Sequence, residues 1–200
     1  MPRLRILKNT EPFCVVGSND VWMFTASVWT DLWGPDSSTL DVTGGSKRRS
    51  DGSHDFLIWT LPAELACGDT IDMFFEAGAE STPKGEIFKP DLAEEAKDGA
   101  RFKSWSPTEA ELLEWESRPA ANQSLLWKIV LNGGSTLRIG PDIHRQHVGL
   151  HTLWNEERPE RWRVSLSRSS LREICSRSGG EELLLEYVAL GSHVRIVVGA

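Results

Sequence analysis

The stretch Val21-Trp22-Met23-Phe24-Thr25-Ala26-Ser27-Val28-Trp29 decides how this chain is read. With a period of two, Trp22, Phe24, Ala26 and Val28 fall on one wholly apolar side, and Val21, Met23, Thr25, Ser27 and Trp29 on a mixed one. That is the pattern of a core strand with one face buried. The alternation recurs. Phe56 to Leu61 aligns Leu57, Trp59 and Leu61, while Ile71 to Glu76 aligns Ile71, Met73 and Phe75 and turns Asp72 and Glu76 to water. Leu125, Trp127, Ile129 and Leu131 share a face, as do Trp162, Val164 and Leu166 with Arg161 and Arg163 opposite. Leu183, Leu185 and Tyr187, then a turn at Gly191-Ser192, then Val194, Ile196 and Val198, predict a carboxy-terminal hairpin. Gly44-Gly45 and Gly133-Gly134 read as turns.

Helical signals sit in the middle. Ser106-Pro107-Thr108-Glu109 reads as a capping box with proline at the first helical position, starting a helix through Glu116 that Leu112, Leu113 and Trp115 would dock. Asp91-Leu92-Ala93-Glu94 reads as a shorter helix stopped at Gly99, and Ser167 to Cys175 as a third. Ala77 to Lys103 carries Gly78, Pro83, Gly85, Pro90 and Gly99 and reads as linker or insertion. The expected organisation is a first β-rich half over 1–80, a linker with two short helices over 81–120 and a second β-rich half over 121–200.

The two halves share an order of features. Trp22, Ser38–Val42, Trp59 and Gly68–Phe75 are answered by Trp127, Ser135–Ile139, Trp162 and Gly180–Tyr187. Internal duplication is one reading and convergent strand patterning the other. A half of about four strands is too small to stand alone. The fold expected is therefore mainly β, an antiparallel β-sandwich whose halves share one core, with the helical segment across an edge.

Composition bounds the function. Across 200 residues, 22 Lys and Arg face 29 Asp and Glu, a net charge of −7 that disfavours nucleic acid and anionic membranes. Cys14, Cys67 and Cys175 are scattered, without a CxxC pair, which argues against a disulfide framework or structural zinc; Cys14 reads as buried and unreactive. The amino terminus lacks an apolar run of signal-peptide length, so a cytoplasmic location is expected. Neither GxSxG, a Walker loop nor GxGxxG occurs, and no cofactor is implied.

Nine tryptophans are the oddest feature. Trp22, Trp59, Trp127 and Trp162 lie on apolar stripes and are assigned to the core; Trp105 and Trp154 sit beside turns. Trp29 and Trp33 leave a strand together with Asp31 and Asp36, as partner-binding anchors do. His144, His147 and His151 form the only histidine cluster; on a helix they would align as metal ligands, whereas on a strand His144 would face away from the other two. Asp91 to Glu116 holds eight acids and three bases, and Glu109, Glu111, Glu114 and Glu116 supply an acidic helix face able to steer a basic partner. From Arg138 to Arg177 eight arginines face five acids. The leading expectation is a non-enzymatic protein that binds a protein partner, with the character of inhibitors and immunity proteins. Sugar stacking on the surface Trp residues and metal-dependent catalysis at the His144, His147 and His151 cluster are the alternatives.

Overall fold

The computed structural model describes residues 1–30, 38–89, 107–117, 126–134, 136–142 and 144–199. Trp33, Trp105, Leu125 and the expected Asp91–Gly99 helix lie outside the described residues, as do Asp31 and Asp36. Thirteen strands appear among those described. The first seven are β1 (Pro2–Lys8), β2 (Glu11–Gly17), β3 (Val21–Thr30), β4 (Ser38–Ser46), β5 (Phe56–Leu65), β6 (Thr70–Ala77) and β7 (Glu86–Ile87). The helix α1 (Glu109–Glu116) precedes β8 (Trp127–Leu131), β9 (Thr136–Ile139), β10 (His147–Asn155) and β11 (Trp162–Ser169). Then come α2 (Leu171–Ser176), β12 (Glu181–Val188) and β13 (Ser192–Val198).

They form two antiparallel sheets packed as a β-sandwich. Sheet I has the order β2-β1-β6-β13-β8-β9 and sheet II the order β12-β11-β10-β3-β4-β5-β7. Between them the alternating apolar faces bury Leu4, Ile6, Phe24, Val28, Ile71, Phe75, Trp127, Trp154, Trp162 and Ile196, each no more than 2% exposed. Phe24 stacks on Trp154 with centroids 5.0 Å apart, and Phe75 on Trp162 at 5.7 Å, so large rings from different strands fill the space between the sheets. Cys14 is in this core, and burial pushes its thiol up to about 12.

Four expectations need correction. Trp22 is not in the core: a register shift between Val21 and Met23 puts Val21 inside and turns Trp22 out, under the Arg48 guanidinium 3.9 Å from its ring. Trp154, by contrast, is buried, because β10 carries it past the turn that follows. Gly44 and Gly45 are not turns but part of β4, where a side chain on Gly44 would come within 2.6 Å of the Met23 carbonyl and one on Gly45 would strike the Trp22 ring. The carboxy-terminal hairpin does not exist. β12 pairs with β11 in sheet II, whereas β13 lies between β6 and β8 in sheet I, so the turn at Gly191 carries the chain from one sheet to the other. Alternation reveals which face is buried, not which neighbour a strand takes.

The helices are smaller than expected. The α1 cap is Thr108, whose hydroxyl accepts from Glu111 N–H while Glu111 reaches back, so the capping box sits two residues beyond the Ser106 position. No α1 residue is buried and Leu113 is 57% exposed, so Leu112, Leu113 and Trp115 do not dock it into the core. Residues 167–169 complete β11, and α2 begins only after the Ser170 cap.

Topology repeats between the halves. β1 and β2 pair as a hairpin, β3 to β5 form a meander in the other sheet, and β6 returns to β1; β8 and β9, β10 to β12, and β13 do the same. In sheet I most pairs correspond at a constant offset along the chain, the exception being the register shift between Ile6 and Leu7 that the β8–β9 hairpin lacks. The pairs Leu4–Val16 and Leu4–Phe75 become Trp127–Ile139 and Trp127–Val198. The two hairpin turns also match. Asn9 and Asn132 both have positive φ and each exchanges two hydrogen bonds, with Thr70 and His193 respectively. This strand correspondence differs from the one the order of sequence features implies: Trp22 lies on β3, whose counterpart is β10, not the strand of Trp127.

The halves meet at two antiparallel seams, β6 with β13 and β3 with β10. On the first seam the counterparts Asp72 and Arg195 stand directly opposite each other, and Arg195 donates to both carboxylate oxygens at 2.7 and 3.0 Å. Asp72 was expected to face water but is 1% exposed, roofed by Arg195 and by His193, whose Nε2 lies 2.6 Å away. His193 in turn stacks on Phe74 at 4.3 Å, and Arg5 covers the same ring at 4.1 Å while pairing with Glu76. Burial opposes ionisation of Asp72, but the hydrogen bonds from Arg195 and His193 outweigh it and hold the carboxyl below its ordinary range. The unfolded carboxyl therefore binds protons more readily, so this stabilisation is complete above about pH 4 and disappears as the pH falls further. Asp72→Asn is expected to cost about 2 kcal/mol in urea unfolding at pH 7, with the gap to the parent narrowing below about pH 4.

Candidate functional site

Three surfaces carry the sequence candidates. Trp29 lies half-buried on the outward face of sheet II, opposite Thr39 on β4 and Gly149 on β10. Gly149 is hemmed in by the two histidines on its own strand: a Cβ there would lie 2.7 Å from His151 Nε2 and 3.5 Å from His147 Nε2. Both imidazoles thus lean over the glycine beside the Trp29 position. β10 brings His147 and His151 together on one face, while His144 lies outside the strand in a turn where its N–H bonds to Asp142. Among the described residues no group of three or more His, Cys, Asp or Glu is placed to hold a metal ion.

One row on this face was not legible in the sequence. Register puts Asp41, Ser27, His151 and Ser165 side by side on β4, β3, β10 and β11, with Ser27 Oγ 3.0 Å from His151 Nδ1. Burial holds the His151 imidazole below its ordinary range, helped by His147 and Arg163, and raises the Asp41 carboxyl. The row has a hydroxyl and a base in contact. Asp41, however, stands on the far side of Ser27 rather than behind the imidazole, so it does not orient the ring as a catalytic triad requires. The signal was cross-strand pairing, which a single sequence does not state.

The acidic helix face is largely engaged within the molecule. Arg172 of α2 bonds to both Glu109 and Glu116, at 2.8 and 2.7 Å, and Glu111 is held by the Thr108 cap; Glu114 is solvent-facing. These contacts fasten α1 to α2 and lower the Glu109 and Glu111 carboxyls through their hydrogen bonds to Arg172 and Thr108. Their effect is to spend much of the helix's acidity locally.

The third surface follows from comparing the halves. In the first half both outer strands are met along part of their length: Val15 of β2 exchanges two 2.9 Å hydrogen bonds with Thr82, and β7 pairs antiparallel with Leu57 and Ile58 of β5. In the second half no described strand covers β9 or β12, the counterparts of β2 and β5. β12 presents eight residues, Glu181-Glu182-Leu183-Leu184-Leu185-Glu186-Tyr187-Val188, with Leu185 43% and Tyr187 51% exposed. Between the two bare edges runs a groove of about 330 Å³ lined by Ile129, Leu131, Leu137, Leu183 and Leu184. Glu186 also lines this groove and Glu182 stands exposed on the same strand, neither in an ion pair among the described residues. Three consecutive leucines were the available signal, since a strand with apolar residues on both sides cannot bury both unless something covers its second face.

Compared with known protein families, curated proteins and solved structures, the chain matches none of them. No helix among the described residues is long and apolar enough to cross a membrane. The burial difference between two tryptophans is directly measurable. Trp154→Ala is expected to cost about 3–5 kcal/mol in denaturant unfolding, the loss typical of a core indole, and Trp29→Ala less than half of that with the fold retained.

Proposed function

We propose that this protein is a non-enzymatic binding module for a protein partner, and that the partner adds an extended segment to the β12 edge. The observation that supports this most strongly is the difference between the halves. Where the first half has β7 on β5, an antiparallel extended segment already occupies the corresponding edge, so the fold itself supplies the pattern of the occupant. Main-chain hydrogen bonds along β12 would give affinity. Side chains on one face of the partner would enter the groove lined by Leu137, Leu184 and Glu186, and those on the other would lie beside Leu185 and Tyr187. The favoured partner segment is therefore apolar, with Lys or Arg placed to meet Glu186 and, farther along the strand, Glu182. This keeps the expectation of an acidic surface that meets a basic protein and moves its centre from α1 to β12.

Selection of displayed extended peptides on the purified protein is expected to enrich such segments. Glu182→Lys with Glu186→Lys should weaken them about tenfold and remove most of their salt sensitivity, because both charges are exposed and dispensable for folding. Leu184→Asp should abolish binding. Enrichment of acidic peptides, or basic ones indifferent to these substitutions, would overturn the assignment. Saturable quenching of tryptophan fluorescence by a glycan, lost in Trp29→Ala, would instead support the sugar-binding reading.

A further inference from the structure

Around the turn between β10 and β11, several arginines are gathered without matching carboxylates among the described residues, unlike many arginines elsewhere in the fold. Arg5 is matched with Glu76, Arg49 with Asp55, Arg145 with Glu173, Arg172 with Glu109 and Glu116, and Arg195 with Asp72. Arg158, Arg161 and Arg163 instead converge on a cavity of about 310 Å³, together with Asn155, Leu153 and Tyr187, the only tyrosine of the chain. The fold fixes this convergence. Arg163 sits on β11 directly between Leu153 of β10 and Tyr187 of β12, and the turn is closed by hydrogen bonds from Arg158 N–H to Asn155 Oδ1 and from Arg161 N–H to the Arg158 carbonyl.

The charges are not neutralised by their surroundings. Among the described residues Arg163 and Arg158 have no carboxylate partner, and Arg161 has a 3.5 Å contact with Glu160 in which both side chains are more than half exposed. Glu157 is the one carboxylate lining the cavity, and it leans to Arg48 at 3.7 Å. Arg163 Nε is moreover buried with no acceptor in reach. A buried guanidinium donor without an acceptor is costly, of order 1–3 kcal/mol, and such a group is satisfied when an anion supplies the missing oxygen.

We infer that this cavity is a binding site for a phosphate group. Three guanidinium groups against one carboxylate suit a dianion rather than a single carboxylate, because planar forks and the Tyr187 hydroxyl can each take a different oxygen of a tetrahedral group. Leu153 and the Tyr187 ring offer an apolar wall to whatever the phosphate is attached to. The volume lies at the lower end of ligand pockets, enough for a phosphoryl group and a small substituent. Tyr187 belongs to the β12 edge strand as well, but neither Glu182 nor Glu186 lines the cavity.

Calorimetric titration at fixed ionic strength tests this with inorganic phosphate and phenyl phosphate as probes and chloride as the control. Saturable binding of both phosphates and none of chloride is expected. Tighter binding of phenyl phosphate would identify an esterified phosphate as the natural source, and equal binding the free ion. Arg163→Gln and Arg158→Gln should each weaken binding about tenfold, while Arg177→Gln, at an exposed arginine distant in sequence, should leave it unchanged. Arg158 is exposed, so its substitution keeps the test valid should Arg163→Gln perturb folding. Glu182→Lys with Glu186→Lys should leave phosphate binding intact, which separates this site from the peptide surface. Absence of saturable binding by either phosphate, or binding indifferent to both Arg163→Gln and Arg158→Gln, would overturn the inference.

Discussion

Half of this chain is a three-stranded piece of one sheet facing a three-stranded piece of another, and neither piece can bury its apolar face by itself. The two seams that join them, β6 with β13 and β3 with β10, are thus the constraint on which the rest depends. Once they form, Phe75 meets Trp162 and Phe24 meets Trp154 across halves, and the core becomes one volume. Asp72 and Arg195 add direction to the first seam. Identical residues at these matched positions would place like groups opposite each other; opposite charges make the contact between halves complementary, and its burial under His193 raises the cost of mispairing.

That arrangement also explains why the two ends of the sandwich differ. An internally repeated fold starts with equivalent edges, and a bare strand edge is a liability because it recruits other chains. The first half covers part of its edges with Thr82 and β7. In the second, no described strand covers β9 or β12, and Glu182 and Glu186 on β12 set like charges that disfavour pairing with a second copy of the same acidic strand.

The outer face of sheet II illustrates a second consequence of register. Cross-strand pairing assembles Asp41, Ser27, His151 and Ser165 from distant parts of the chain, Ser27 and His151 being 124 residues apart. Farther along the same face it brings Leu153, Arg163 and Tyr187 into line and so shapes the arginine-lined cavity. The excess of arginine after residue 138 was visible as composition. What it becomes depends on which guanidinium groups find carboxylates: among the described residues Arg145, Arg168 and Arg172 do, Arg158 and Arg163 do not.

Alternation by itself established the β class, the sandwich, and the identity of most inward residues, because a period of two has one low-energy realisation when one face must leave water. Capping chemistry located α1 to within a turn. Pairing was not determined that way. Every strand here is apolar on one face, so local sequence cannot distinguish a β12–β13 hairpin from a crossing between sheets, and a single-residue shift at Val21 was enough to exchange the environments of Val21 and Trp22. Which edges are covered and which arginines lack partners depends on contacts between residues far apart in the chain, and only the closed tertiary structure decides those, because such contacts are selected by the packing of the whole core and not by any local preference.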